Sequence, residues 1–445
     1  MIDSAEAANA AIAEASPALA AALSPLGRRA FFPQDIPFQA AQARGKRFNG
    51  TIGQITDGRG GAVPLPALAA ALSGLPPAAR NQALLYSPVE GLPELRRRWR
   101  EWQRRDLGSA VGEALSTLPL VTAGLTHALA LAADLFGGEG RVLALARPFW
   151  GNYRQSFGLR TGVRVVSEPA FDGGRFDPRA LERSLAGAGL GADRDGGEPA
   201  LALVNFPSNP GGYSPAEAER RELVESLLRV AEERPLVVLC DDAYAGLVFE
   251  QGIPARSLFW DLQGRHPNLV PVKIDGATKE LAFFGGRVGF LTFPFAAGSA
   301  VEAALESKVK CLVRAGIGSP VAASQVVALQ ALESGRAGDE VQALRGLLAG
   351  RYRALRAALG ACDPGLLRPL PFNSGCFALV ALGPEARAAG ATADRVRRHL
   401  LEAEDTGVVA AGEEHLRIAH CSVAEEDLPE LVRRLERGVA ALARG

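Results

Sequence analysis

The chain is poor in lysine, cysteine and histidine, and it carries no net charge: 49 acidic residues balance 49 basic ones over 445 positions. That balance offers no basic patch for nucleic acid and no attraction to an anionic membrane, so neither is expected as a partner. The five cysteines (Cys240, Cys311, Cys362, Cys376, Cys421) are scattered, odd in number and without CxxC spacing. They predict buried thiols in a reducing compartment rather than a metal site. His415 and His420 flank a predicted strand at a spacing that suits no metal, and both read as structural. No apolar run reaches membrane-spanning length, and the start "MIDSAEAANAAIAEASPALAAAL" lacks the basic opening of a signal peptide, so a cytoplasmic protein is expected. There is no internal repeat.

What is present is a 48 % hydrophobic composition, enough for a large core and two or three domains. Residues 1–48 read as an alanine-rich helical arm ending in the loop "RRAFFPQDIPFQ". From about 119 to 294, short apolar runs alternate with helical stretches. "LPLVTAG", "RVLALARP", "ALALVNFP", "PLVVLCDD", "LVPVKIDG" and "VGFLTFP" suit strands covered on both faces, as in a mostly parallel sheet. Ser214, Pro215 and Glu217 predict a capping box for the helix "SPAEAERRELVESLLRVAEE". "GAGLGADRDGGEP" reads as an exposed loop. Beyond about 320 a long helix leads to strands "CFALVAL" and "HLRIAHC" and a last helix that a Ser422–Glu425 box would start. The expected architecture is α/β, with an arm (1–48), a small-domain segment (49–80), a large domain (81–325) and a smaller α+β domain (326–445).

Open parallel sheets bind ligands beyond the carboxyl ends of their strands. After "LPLVTAG" comes a helix start with Leu125 and Thr126, a natural anion site. After "RVLALARP" comes "FWGNY", with Trp150 able to stack on a planar ring or simply to pack. After "ALALVNFP", the turn "SNPGG" holds Asn209, a residue equally at home in any turn. After "PLVVLC", "DDAYAGL" ends a very apolar strand on Asp241, whose burial demands a cationic partner. After "LVPVKIDG" comes "ATK". Lysine is used only five times (Lys46, Lys273, Lys279, Lys308, Lys310), yet Lys279 stands at this edge. A lysine can lose its proton when desolvated and an arginine cannot, so the choice points to a nucleophile or base.

These motifs in this order resemble the class I/II aminotransferases, fold-type I enzymes that use pyridoxal 5′-phosphate. "PFWGNY" is similar to the ring-stacking motif of aspartate aminotransferases, "NPGG" to NPxG, "DDAY" to D-[DE]-x-Y, and "TKELAFFGGRVG" to [ST]-K followed by R-x-G. The resemblance implies a pyridoxal phosphate-binding large domain and an amino-group transfer between an L-amino acid and a 2-oxo acid by a ping-pong mechanism, with dicarboxylic or aromatic substrates both compatible. It implies that Lys279 binds the cofactor and then shuttles a proton. Asp241 would face the ring nitrogen, Asn209 and Tyr244 the ring hydroxyl, and Trp150 the ring face. Arg287, Leu125, Thr126 and Thr278 would hold the phosphate. "YSPVEGLPELR" implies that Tyr86 reaches the phosphate of a neighbouring subunit, hence a homodimer. "LRIAHCSV" implies that Arg417 clamps the substrate carboxylate, with Gly53, Asn209 and Trp150 beside it. "LVRAGIGSP" implies that Arg314 meets the side chain of the partner's substrate. Two departures are Gly276, where a serine is common, and His127 beside Thr126. A lyase or decarboxylase on the same cofactor is the alternative.

Overall fold

The computed structural model describes residues 4–32, 35–105, 107, 115–190 and 198–444. Part of the glycine-rich loop expected at 187–199 lies outside these residues. A seven-stranded sheet forms the centre of the larger body: β1 (Leu120–Thr122), β2 (Val142–Arg147), β3 (Arg164–Pro169), β4 (Ala200–Asn205), β5 (Leu236–Asp241), β6 (Leu269–Gly276) and β7 (Gly289–Thr292). Their order is β1-β7-β6-β5-β4-β2-β3. The pairs from β6 through to β3 are parallel, and β7 runs antiparallel to both of its neighbours. The run "VGFLTFP" is therefore the one that returns against the rest. β4, β5 and β6 are buried along nearly their whole length, as their unbroken apolar sequences require.

Helices cover both faces. On one side lie α1 (Pro93–Arg104) and α2 (Leu125–Phe136). On the other lies α3 (Glu217–Glu233), packed on the core that holds Ala202, Val204, Val238 and Cys240. The helix start at α3 differs from expectation. Ala216 is its cap, and the Glu219 carboxylate accepts from the Ala216 amide at 2.7 Å. Ser214 is drawn off instead: its Oγ accepts from Ser374 Oγ at 3.0 Å and its amide donates to Asn373 Oδ1 at 2.9 Å. A tertiary contact has outcompeted a local one.

Three more helices follow, α4 (Ala300–Ile317), α5 (Ala322–Glu333) and α6 (Ala337–Gly360). They lead to a second, antiparallel sheet of β8 (Leu367–Pro369), β9 (Phe377–Leu382), β10 (Val409–Ala411) and β11 (His415–Ala419), in the order β8-β9-β11-β10. The last helix, α7 (Leu428–Arg444), does not start at a Ser422 box. Ser422 Oγ donates to the carbonyls of Asn49 and Ala419, and a short turn at Glu425–Asp427 precedes the helix. At the other end of the chain, a helix over Ile36–Gln42 begins within the expected loop "RRAFFPQDIPFQ". Three of the five cysteines, Cys240, Cys376 and Cys421, are buried, but Cys311 is exposed and Cys362 half-buried. All five are free.

The two bodies meet at the site. The turn Asn209–Gly212 docks on the second sheet through the carbonyl of Gly212, which accepts from the amides of Asn373 and Ser374 at 2.9 and 3.0 Å. A Cβ on Gly212 would lie 1.9 Å from the carbonyl oxygen of Phe377, and its φ is +70°, so only glycine fits there. No helix among the described residues is long and apolar enough to cross a membrane.

Candidate active site

The carboxyl ends of β1, β2, β4, β5 and β6 open onto one pocket. Leu125, Thr126, Trp150, Tyr153, Asn205, Asn209, Asp241, Ala243, Tyr244, Thr278, Lys279 and Arg287 line it. At one end stands the start of α2, preceded by Gly124 at φ +82°. The first amides of a helix have no partner within it and collect partial positive charge. Arg287 adds a full charge. Its guanidinium crosses so close to Gly124 that a Cβ there would lie 2.5 Å from Nη2. Arg287 itself has φ +51°, a costly backbone for a residue with a Cβ and one seen where a side chain must be aimed. The Thr278 Oγ1 is buried with no hydrogen-bond partner in the protein. His127 is committed elsewhere: its Nδ1 accepts from the Ala123 amide at 3.0 Å, pinning the strand-to-helix turn.

The middle of the pocket holds the two groups on which its chemistry depends. Asp241 is buried, and burial raises its carboxyl to about 6. Tyr153 Oη donates to its Oδ2 at 2.7 Å and the Ala243 amide donates to its Oδ1 at 3.1 Å. Lys279 sits on the short helix Ala277–Glu280, its Nζ 5.1 Å from the centroid of the Tyr244 ring. Surrounding protein lowers its affinity for a proton, chiefly by desolvation, while the Asp241 charge opposes that shift. Trp150 meets Tyr153 edge to face at 5.5 Å. Asn205 links two strand ends: its Nδ2 donates to the carbonyl of Asp241 at 2.8 Å and its Oδ1 accepts from the Asn209 amide at 2.8 Å.

Arg417 closes the other end from β11. It is 2 % exposed, and desolvation lowers it to about 10. Nη1 donates to Asn209 Oδ1 at 3.2 Å, Nη2 to the carbonyl of Thr51 at 2.5 Å, and the guanidinium carbon lies 4.5 Å from the Phe377 ring centroid. Its Nε is buried without a partner. Gly53 belongs to the same wall, because a Cβ on it would lie 2.6 Å from the Phe377 ring and 3.6 Å from the Tyr244 hydroxyl. The pocket thus offers an anion cradle, a buried acid and an amine, with a guanidinium able to fork onto a carboxylate adjoining it.

The "Aminotransferase class I and II" family profile matches residues 51–435. This chain is a class I/II aminotransferase. An arginine–pyruvate transaminase of Pseudomonas aeruginosa is 31 % identical to it over 80 % of this chain and 83 % of the relative. A 2-aminoadipate transaminase of Thermus thermophilus is 29 % identical over 81 % and 82 %. Among solved structures, an aminotransferase from Anaerococcus prevotii superposes with a TM-score of 0.76 at 22 % identity, covering 92 % of this chain and 96 % of that one. The kynurenine aminotransferase of Pyrococcus horikoshii, solved with PMP, also gives 0.76 at 16 % identity, covering 95 % and 98 %. The aminotransferase fold, fold-type I with its α/β large body, and a pyridoxal phosphate-dependent amino transfer follow for this chain, and no finding favours a lyase.

Of the residues singled out from the sequence of this aminotransferase, nine converge on the pocket, and Arg417 and Gly53 adjoin it. Two do not. Tyr86 is 98 % exposed, and Arg314 lies on the exposed side of α4. Three pocket residues, Tyr153, Asn205 and Ala243, had no assigned place. Tyr153 ends the very motif that holds Trp150, and Asn205 is the first polar residue after an apolar strand, so both carried a signal in position alone.

Proposed function

We propose that the pocket binds pyridoxal 5′-phosphate and that this chain's own residues divide the work as follows. Arg287, Thr126, Thr278 and the first amides of α2 would hold the phosphate; the orphaned Thr278 hydroxyl and the cation forced against Gly124 fit a group rich in acceptor oxygens. Asp241 would hold a proton on the ring nitrogen, since a buried carboxyl is stabilised as an anion by a cation at hydrogen-bond distance. Tyr153 and the Ala243 amide orient it. Asn209 and Tyr244 would hydrogen-bond the ring hydroxyl, and Trp150 would cover one ring face.

When bound, the cofactor supplies an electron sink at the substrate Cα. Lys279 would attach the cofactor, release it to the substrate amine, and carry the proton away from Cα and back. Arg417, with Asn209 and Gly53 beside it, would hold the α-carboxylate and so present the Cα hydrogen to Lys279. The observation that carries this reading is one amine whose burial favours its neutral form, set in a pocket with a buried acid at one side and an arginine fork at the other. Tyr86 and Arg314 would serve the partner's site in a homodimer. The exposed run Leu84, Leu85 and Tyr86, at 81, 60 and 98 %, supports an interface there. Five free cysteines accord with a reducing, cytoplasmic setting.

Borohydride reduction of the protein loaded with pyridoxal phosphate, followed by peptide mass spectrometry, tests the assignment. The phosphopyridoxyl mass is expected on Lys279, and single amino acids added to unreduced holoenzyme should yield the matching 2-oxo acids. A label on another lysine, or none, removes the role of Lys279.

A further inference from the structure

From the pocket a cleft of about 790 Å³ opens between the two bodies. Trp150, Asn209 and Arg417 form its floor, the segment from Arg147 to Arg154 one wall, the edge strand β10 with Leu370 the other, and Asp35 to Gln39 the rim. If the substrate amine displaces Lys279 on the cofactor while Arg417 takes the α-carboxylate, as proposed above, the substrate side chain has this cleft to enter. Its charged groups decide what that side chain carries.

Arg147, the last residue of β2, and Arg154 both line the cleft and both are exposed. Neither side chain forms an ion pair or hydrogen bond with another described residue; the guanidinium of Arg154 rests 5.1 Å from the Phe149 ring centroid. Elsewhere in the chain arginines are mostly tied up, as Arg160 is to Asp134 and Arg229 to Glu182. Against these two stand Asp35 and His415. Burial raises the Asp35 carboxyl, whose Oδ1 is buried without a partner, and burial lowers His415. Both shifts favour neutral forms, while a guanidinium remains charged throughout. Among the described residues neither guanidinium has an ion-pair partner, so the cleft carries two fixed positive charges that no salt bridge neutralises, next to Arg417, which the α-carboxylate would occupy.

We infer that Arg147 and Arg154 form a distal-anion subsite within one chain, and that the amino donor carries a second carboxylate at the end of its side chain. This differs from recognition by Arg314, which lies outside the cleft of its own chain. A planar guanidinium grips a carboxylate in a fork, and the aromatic ring under Arg154 holds the fork in place.

The test compares wild-type holoenzyme with Arg147→Gln, Arg154→Gln and the double variant, using glutamate, 2-aminoadipate, alanine and arginine as donors. Wild type should prefer the two dicarboxylic donors. The ratio of glutamate to alanine kcat/KM should fall about tenfold in each single variant and further in the double, mainly through KM. Glutarate, an inert dicarboxylate, should bind wild type more tightly than butyrate by calorimetry, and the double variant should lose that difference. Preference for alanine or arginine, an unchanged ratio, or equal binding of glutarate and butyrate overturns the subsite. A holoenzyme that transaminates nothing and forms no bond at Lys279 overturns the aminotransferase assignment and the subsite together, whereas activity without dicarboxylate preference overturns the subsite alone.

Discussion

Asp241 shows how a single buried carboxyl links catalysis to stability. Burial raises it from the ordinary 3.8 to about 6, against the pull of the Tyr153 hydroxyl and the Ala243 amide. A group that holds its proton more tightly folded than unfolded stabilises the cofactor-free protein at low pH, and that contribution disappears as pH climbs from about 4 to about 6. Each tenfold gain in proton affinity is worth about 1.4 kcal/mol, so the whole contribution is about 3 kcal/mol. His420 slopes the other way: it is buried with neither ring nitrogen partnered, and desolvation lowers it to about 3, so it loses stability as pH falls below 6.5. Comparing Asp241→Asn with wild type cancels the histidine and isolates the acid. The difference in thermal midpoint, variant minus wild type, should increase through pH 4–6 and then stay level; a difference independent of pH would mean the carboxyl is already ionised in the folded protein. At this scale the sequence was informative wherever a reactive residue ended an apolar run, as Asp241 and Lys279 do. For Tyr153 it offered only a place in the motif of Trp150, because the role itself comes from a bond to a residue 88 positions away.

Elements matter because the residues proposed for chemistry sit on strand ends that something must hold still. Beneath β5 and β6 lies a buried ionic network. Lys273 Nζ is 2.5 Å from Asp242 Oδ2 and 3.3 Å from Asp275 Oδ2, and all three are almost fully buried. Ser257 Oγ donates to Asp242 at 2.6 Å, while Trp99 and Gln103 from α1 donate to Asp275. Glu280 accepts from Trp102 Nε1 at 2.7 Å and pairs with Arg105 at 3.1 Å. Asp242 follows Asp241, and Glu280 follows Lys279, so each partner fixes the backbone of a site residue. Lys273→Met strands two carboxylates in the interior and should cost about 3–5 kcal/mol in urea unfolding of the cofactor-free protein. Adding Asp242→Leu should recover part of the loss, because neighbours in one network are not additive. A single-variant cost below about 1 kcal/mol would mean that water reaches the network. The strands were legible from continuous hydrophobicity, since no helix of that length would bury on every side. The helix caps were not, because Ser214 and Ser422 have the right side chains but spend them on Ser374 and Asn49, partners that only the tertiary fold supplies.

For the whole molecule, α6 is the element that joins the two bodies. Its first half, through Leu344 and Leu348, belongs to the core around Leu125 and Phe290, and its second, through Leu355 and Leu359, to the core around Phe377's neighbours Ala378 and Val380. A single helix shared by two cores carries no boundary signal in sequence, which is why composition alone places the division only loosely. The subunit arrangement is a further step outward. Tyr86 and Arg314 carry motif-like surroundings yet are exposed and do not line their own pocket, so the work proposed for them requires a second copy of the chain. A chain with Lys279→Ala has an inert site but intact Tyr86 and Arg314; a chain with Tyr86→Phe and Arg314→Ala has the reverse defect. In a symmetric dimer that exchanges these residues, a mixed pair assembles one site with every group present and one with none of the three. Refolding or co-expressing the two chains should therefore restore activity toward a dicarboxylic donor well above the sum of the separate homodimers, with about one intact site per mixed dimer. Activity equal to that sum, with mixed dimers verified by two affinity tags, would place Tyr86 and Arg314 outside catalysis and leave each pocket self-sufficient.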